Sequence, residues 1–276
     1  MSAGLTKAID MTFSIITINL NNACGLEDTI LSVTGQTCDD YEFIVIDGAS
    51  TDGSLEVAES YRSKLDVLVS EKDGGIYDAM NKGVARASGE YLIFLNSGDR
   101  FASTSVLSEV KALRPEADIL IGRYNASADG AIVKRDCRLR HDHVTLFSLY
   151  MYGLPHQACF IRRELQLRHP YDTGLKINAD WKFFLQAIVF DGCPYSVIPV
   201  VVSDYDCTGL SSTDTEGLRA ERDRVFCEMI PAAIADDYCK VFPHYYETYR
   251  MEWLLRHPVL YKLYRLSVSA GMKILK

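Results

Sequence analysis

No run of this chain comes near the roughly 18–20 continuous apolar residues that a membrane-spanning helix requires, so nothing in it is expected to cross a bilayer. Residues 1–10 lack a basic head followed by an apolar core, which argues against a secretory signal and leaves them as a leader outside the fold. The eight cysteines form no C-x-x-C pair and no Cys/His cluster at zinc spacing. That reads as reduced thiols in a cytoplasmic protein rather than a disulfide frame. Basic residues are in deficit, with 29 Lys and Arg against 37 Asp and Glu and a net charge of −8. Nucleic acid is therefore not an expected partner, because phosphate-backbone binding needs a clustered cationic excess. The first strand-like run, residues 13–18, leads into Asn19-Leu20-Asn21-Asn22-Ala23-Cys24-Gly25, which has neither a G-x-G-x-x-G pattern nor a cation. A dinucleotide-dependent dehydrogenase and a triphosphate-holding nucleotidyltransferase are both disfavoured by that loop. Internal repeats and low-complexity tracts are absent as well.

What the chain has is a series of short apolar runs that end in acids. Residues 91–95 break into Asn96-Ser97-Gly98-Asp99, and residues 42–46 break into Asp47-Gly48-Ala49-Ser50-Thr51-Asp52-Gly53. A buried strand delivering a carboxylate at its C-terminal end is how open α/β sheets present ligand groups to a crevice. Strands at 13–18, 42–46, 67–70 and 91–95 alternate with helices at 26–36, 55–64 and 76–87, a rhythm that implies right-handed parallel crossovers. Asp52 with Thr51 is placed to cap the second helix. Further on, a helix at 105–113, strands at 119–122, 131–133, 158–161 and 195–202, a turn at 129–130 and a helix at 180–190 are expected. The polar stretch 203–217 reads as a mobile loop. Taken singly, Asp47 and Asp52 read first as turn and cap residues, Asp99 can also be a solvated loop acid, and Asp180 is also a favoured helix-start residue.

Four segments in order carry a resemblance. Residues 13–22, then Val45-Ile46-Asp47-Gly48-Ala49-Ser50-Thr51-Asp52-Gly53, then Ser70 through Gly83 with Gly74-Gly75-Ile76-Tyr77-Asp78-Ala79-Met80-Asn81, then Leu95-Asn96-Ser97-Gly98-Asp99, are similar to the inverting glycosyltransferases of family 2. A fainter match runs through Leu154-Pro155-His156-Gln157 and residues 171–185, which contain Ala179-Asp180-Trp181. The resemblance implies the GT-A fold, a Rossmann-like mixed sheet flanked by helices. It implies transfer of a sugar from a nucleoside-diphosphate donor, UDP-linked by preference, to a hydroxyl of a glycan or lipid-linked glycan, in cell-surface polysaccharide or lipid-linked oligosaccharide synthesis.

By the same resemblance Asp99 is the ligand of Mn²⁺ or Mg²⁺, hard cations that prefer oxygen. Asp47 contacts the base, Thr17 and Asn19 lie near the nucleoside, and Asn96 is available to the ribose. Asp180 is the base that takes the acceptor proton. Trp181 offers a face to a sugar ring, and His156 touches the acceptor or the diphosphate. The chain departs from the family in two places: the fourth motif keeps only Asp99 of its several acids, and Gly48 stands where many relatives have a second Asp. Lys82 is read as a solvated helix residue.

The expected organisation is a catalytic domain at 11–215, with a nucleotide-binding half at 11–100 and an acceptor half at 101–215, and a helical extension at 216–276. The end of that extension is basic and aromatic-rich. Arg250, Arg256, Lys262, Arg265, Lys273 and Lys276 face a single acid, Glu252. Such a tail suits the inner face of a cell membrane or packing on the protein, and Pro258 divides it into two helices. A different class, a catalytically silent scaffold subunit of a membrane-associated glycan assembly complex, is kept open by the missing acids.

Overall fold

A computed structural model describes residues 12–128, 131–139, 143–208, 213–241 and 253–274. The leader at 1–10 and the turn at 129–130 lie outside the described residues. The chain divides into two compact units, Met1–Arg222 and Asp223–Lys276.

In the first unit the four acid-terminated or polar-terminated runs are parallel strands: β1 (Phe13–Asn19), β2 (Tyr41–Asp47), β3 (Val67–Ser70) and β4 (Tyr91–Phe94). They lie in the order β3-β2-β1-β4. Helices α1 (Ala23–Thr34), α2 (Ser54–Ser60) and α3 (Ile76–Arg86) connect them. Both sheet faces are covered, which is why β1 and β2 read as continuous apolar runs instead of alternating ones. Phe13, Ile15, Phe43, Val45, Tyr91 and Ile93 share one buried cluster with Leu26, Ile30 and Val33 of α1. On the other face α3 packs on β1 and β2. Gly83 permits this close approach, since a Cβ there would stand 2.4 Å from the Ile16 side chain.

Register then does the functional work. Asn19 pairs with Asp47, and Asp47 pairs with Ser70, so the polar ends of three strands meet at one edge of the sheet. The remaining strands are β5 (Arg100–Phe101), β6 (Ile119–Ala128), β7 (Ala131–Cys137), β8 (Cys159–Arg162) and β9 (Tyr195–Asp206). They extend the sheet as β4-β8-β6-β9-β5, with β7 on β6. The sheet is mixed: β8 is antiparallel to β4 and β6, β9 is parallel to β6, and β5 is antiparallel to β9. Helices α4 (Val106–Ala112), α5 (Leu146–Tyr152), α6 (Arg163–Arg168) and α7 (Ala179–Phe184) complete the layers, and α8 (Thr215–Met229) begins in this unit.

Three local expectations are corrected. Residues 203–206 belong to β9, where Ser203 is fully buried and Asp204 accepts a hydrogen bond from Asn125 at 2.7 Å; pairing with β6 overrides a sequence too polar to signal a strand. Asp52 is not the N-cap of α2, which is Gly53. Its carboxylate accepts the N–H groups of Ala23 at 2.9 Å and Ser54 at 3.1 Å, and so ties together the starts of α1 and α2. The 180–190 helix is regular only to Phe184 and continues as a wider π-type turn to Phe190.

The second unit contains the rest of α8, then α9 (Ala232–Val241) and α10 (Pro258–Ile274). Phe226 and Tyr238 join α8 to α9, their ring centroids 5.2 Å apart. Pro258 opens α10 after a single helical turn at 253–255, at the one helical position where its missing N–H costs nothing. Among the described residues no helix is long and apolar enough to cross a membrane.

Candidate donor and acceptor site

A cleft of about 700 Å³ opens in the first unit, and its walls include Tyr77, Asn96, Asp99, His156, Asp180 and Asp206. Trp181 also lines it, whereas Thr17, Asn19 and Asp47 stand at the ends of β1 and β2, outside its walls. Five of the eight residues singled out in the sequence therefore share one cavity.

The turn that carries Asp99 is held by α1. Gly98 donates its N–H to the carbonyl of Gly25 at 3.0 Å, and the Thr29 hydroxyl donates to the Asp99 carbonyl at 2.7 Å. The side chain of Asp99 is 4% exposed. It accepts the backbone N–H of Asp206 at 3.0 Å. Burial, with the adjacent Asp206 charge adding to it against the backbone hydrogen bonds, lifts its pKa from 3.8 to about 7.

Asp47 is equally buried and differently served. One oxygen accepts from Asn19 Nδ2 at 2.9 Å and from the Ser50 hydroxyl, and the other accepts from Ser50 N–H at 3.0 Å and the Ser70 hydroxyl at 2.7 Å. These fill a carboxylate's acceptor sites. Burial raises its pKa, but the hydrogen bonds from Ser50, Ser70 and Asn19 outweigh that and leave it below the ordinary value.

The two departures from the family motif have a common geometry. A Cβ at Gly48 would stand 2.6 Å from an oxygen of Asp73, and one at Gly98 would stand 3.0 Å from an oxygen of Asp206. At each glycine a carboxylate from another segment occupies the space a side chain would take. Thr17 Oγ1 and Asn19 Oδ1 in the last residues of β1, and Asn96 Oδ1 in the cleft wall, are buried polar atoms with no hydrogen-bond partner.

Asp180, also in the lining of the cleft, sits in the first turn of α7. The segment before it is fixed by Glu221 of α8, whose carboxylate accepts the N–H groups of Lys176, Ile177 and Asn178 at 2.8, 2.9 and 2.9 Å. Burial opposes the charge on Glu221, and these hydrogen bonds more than compensate, holding its pKa below the usual glutamate value. Tyr77 donates its hydroxyl to this region, lying 2.9 Å from Asp180 Oδ1 and 2.6 Å from the Ile177 carbonyl. Burial first, then the Asp180 charge, keeps that phenol protonated well above its ordinary range.

His156 is buried and stacked on Phe94 at 4.9 Å, with Nε2 2.7 Å from the Tyr171 hydroxyl. Burial lowers its pKa, although the Asp180 charge pulls the other way. Trp181 is only 3% exposed, its indole N–H donates to the Leu149 carbonyl at 2.8 Å, and the Arg222 guanidinium lies 5.5 Å from its ring centre. Lys82 is half-buried and ion-paired with Glu71 at 2.9 Å and Asp78 at 3.3 Å. Asp206, Glu221 and Tyr77 were not singled out as site residues. The only sequence hint for them was the shortage of acids in the fourth motif and the unexplained motif around Tyr77.

A PGL/p-HBAD biosynthesis glycosyltransferase of Mycobacterium bovis is 32% identical over 210 residues, spanning 73% of this chain and 79% of that protein. A cholesterol galactosyltransferase of Borreliella burgdorferi is 38% identical over 107 residues, spanning 38% of this chain and 29% of that protein. Among solved structures, S. aureus TarS 1-349 in complex with UDP-GlcNAc superposes with a TM-score of 0.63 at 22% identity, covering 82% of this chain and 70% of that one. The mannosyltransferase PcManGT from Pyrobaculum calidifontis, in complex with GDP-Man and Mn²⁺, superposes with a TM-score of 0.56 at 18% identity, covering 78% of this chain and 63% of that one. Those two likenesses bear on the fold, which is GT-A. The profile named Glycosyl transferase family 2 matches residues 14–173, a span that takes in all four sheet-edge motifs. From that match and the 32% identity across most of two whole chains, the protein belongs to glycosyl transferase family 2.

Proposed function

We propose that this protein is an inverting, cation-assisted transferase that moves a sugar from a nucleoside diphosphate, UDP by preference, to a hydroxyl of a lipid-linked or cell-surface glycan. The observation that carries the donor half is that Asn96, whose Oδ1 is buried and unpaired, lines the same cleft as the buried Asp99, with further unpaired atoms on Thr17 and Asn19 at the end of β1. Buried polar groups in folded proteins are nearly always paired, so these atoms fit the polar edges of a ligand. With Asp47 holding Asn19 in place, the nucleoside is read onto Thr17 and Asn19, and the ribose onto Asn96. The donor set fits a hard cation: Asp99 would hold Mn²⁺ or Mg²⁺, with the Asp206 carboxylate beside it. When bound, the cation neutralises charge on the departing diphosphate.

Asp180 serves as the base. The acceptor oxygen attacks the anomeric carbon from the face opposite the diphosphate, the bond from that carbon to the phosphate oxygen breaks, and Asp180 takes the hydroxyl proton. His156, neutral by burial, shapes the acceptor wall. In Asp180→Asn, turnover is expected to fall by about 10²–10⁴ while nucleotide binding persists. Full activity in that variant would remove Asp180 from the mechanism.

The acceptor is read as lipid-linked because α10 exposes Val259, Leu260, Leu263 and Leu266 beside Lys262 and Arg265. No acid follows Glu252 in the sequence. A helix with an apolar stripe and a cationic flank binds anionic bilayer surfaces, which would place the enzyme at the inner face of the cell membrane. One relative is also named for a sterol acceptor. The first test is thermal unfolding with UDP, GDP, dTDP and CMP, each with and without Mn²⁺. A cation-dependent shift with one diphosphate supports the donor site, and no shift with any of them favours a silent scaffold.

A further inference from the structure

Within the motif from Ser70 to Gly83, Tyr77 and Asn81 have no part in the donor reading, yet they join α3 to the segments that carry Asp180 and Tyr171. Tyr77 and Asn81 are four residues apart and so share one face of α3. Asn81 donates its amide to the Tyr171 carbonyl at 2.8 Å and accepts the Tyr171 N–H at 2.9 Å. Tyr171 in turn meets His156 through its hydroxyl. Tyr77 is 5% exposed, packs on the Tyr171 ring at 5.5 Å, and places its hydroxyl between Asp180 Oδ1 and the Ile177 carbonyl.

We propose that this face of α3 positions the acceptor machinery, and that Tyr77 is the positioning residue that aims Asp180. The inference rests on the reading of Asp180 as the base. A phenol on one carboxylate oxygen fixes the rotation of the group and leaves the other oxygen for the incoming hydroxyl. Tyr77 touches neither donor nor acceptor in this role and acts only through Asp180. Because α3 also packs on β1 through Gly83, the geometry of the base is set from the strand that carries Thr17 and Asn19. Donor-side and acceptor-side chemistry are then held in register by one helix across about a hundred residues of sequence. A merely structural Tyr77 would use its hydroxyl only on the Ile177 carbonyl, and its loss would lower stability without regard to Asp180.

A four-member cycle separates the two: wild type, Tyr77→Phe, Asp180→Asn and the double variant. The assay is UDP release, with Mn²⁺ present, from whichever of UDP-glucose, UDP-galactose and UDP-N-acetylglucosamine the wild type hydrolyses with water as acceptor. Tyr77→Phe is expected to lower kcat by about 10–100-fold with donor KM unchanged, and to have no further effect in the Asp180→Asn background. Equal, additive losses in both backgrounds would overturn the proposal. A fully active Asp180→Asn would instead overturn the base assignment beneath it. Urea unfolding of the same four proteins requires no substrate. Non-additive stabilities support the contact, and additive ones overturn it.

Discussion

Asp47, at the end of β2, and Asp99, in the turn that follows β4, are both almost wholly buried and are treated in opposite ways. Asp47 takes donors from Asn19, Ser50 and Ser70 on all sides, and its pKa is depressed. Asp99 draws on the backbone N–H groups of Asp206 and Asn96, has another acid beside it, and its pKa rises to about 7. A carboxylate saturated by the protein fastens strands together. One buried with few donors is costly to the apoprotein and is relieved by a cation or proton. The two acids, alike in sequence, thus differ in their surroundings: Asp47 is clasped by its neighbours, and Asp99 is the one proposed to take a cation.

The same substitution at each position should break this pair apart. Asp47→Asn presents amide hydrogens to groups that are already donors, and is expected to cost about 3 kcal/mol of unfolding free energy in urea. Asp99→Asn should leave stability at pH 8 unchanged or higher. It should also remove the Mn²⁺-dependent stabilisation by UDP, which at 100 times the dissociation constant amounts to about 2.7 kcal/mol. Equal destabilisation by both variants would erase the distinction.

The titrations should run with opposite signs. The folded pKa of Asp47 is lowered, so its contribution to stability is present above the ordinary carboxylate pKa and lost as pH falls through the depressed value. The folded pKa of Asp99 is raised from 3.8 to about 7, so its contribution is fullest below the unfolded value and lost as pH rises through that window. Melting curves of the apoprotein across pH should show Asp99→Asn flattening the decline towards neutrality and Asp47→Asn flattening the acid limb. The smallest effect is expected at Gly98, which has φ of +105° and an Asp206 oxygen 3.0 Å from any added Cβ. Gly98→Ala should cost about 1 kcal/mol and weaken Mn²⁺ binding by displacing Asp206. An unaffected cation affinity, measured by calorimetry with UDP present, would detach Asp206 from the site.

The sequence by itself determined the parallel half of the sheet and the acids at its edge. Each of those features is local: an apolar run, a polar break and a carboxylate within about ten residues, read by the two-residue and 3.6-residue periods of strand and helix. Asp47 and Asp99 could be found that way, as could Asp180 from its place in a family motif. Their roles could not be separated, because the donors that saturate Asp47 come from β1 and β3 as well as its own turn. Nor could the sequence show Asp206 on Asp99, Glu221 gripping the start of α7, or Tyr77 on Asp180, contacts 107, 43 to 45 and 103 residues apart. Even the last turns of β9 read as loop, since their strand state depends on pairing with β6. What only the tertiary structure decided is which buried charge has donors, for that is fixed by neighbours in space while sequence patterns report neighbours in chain.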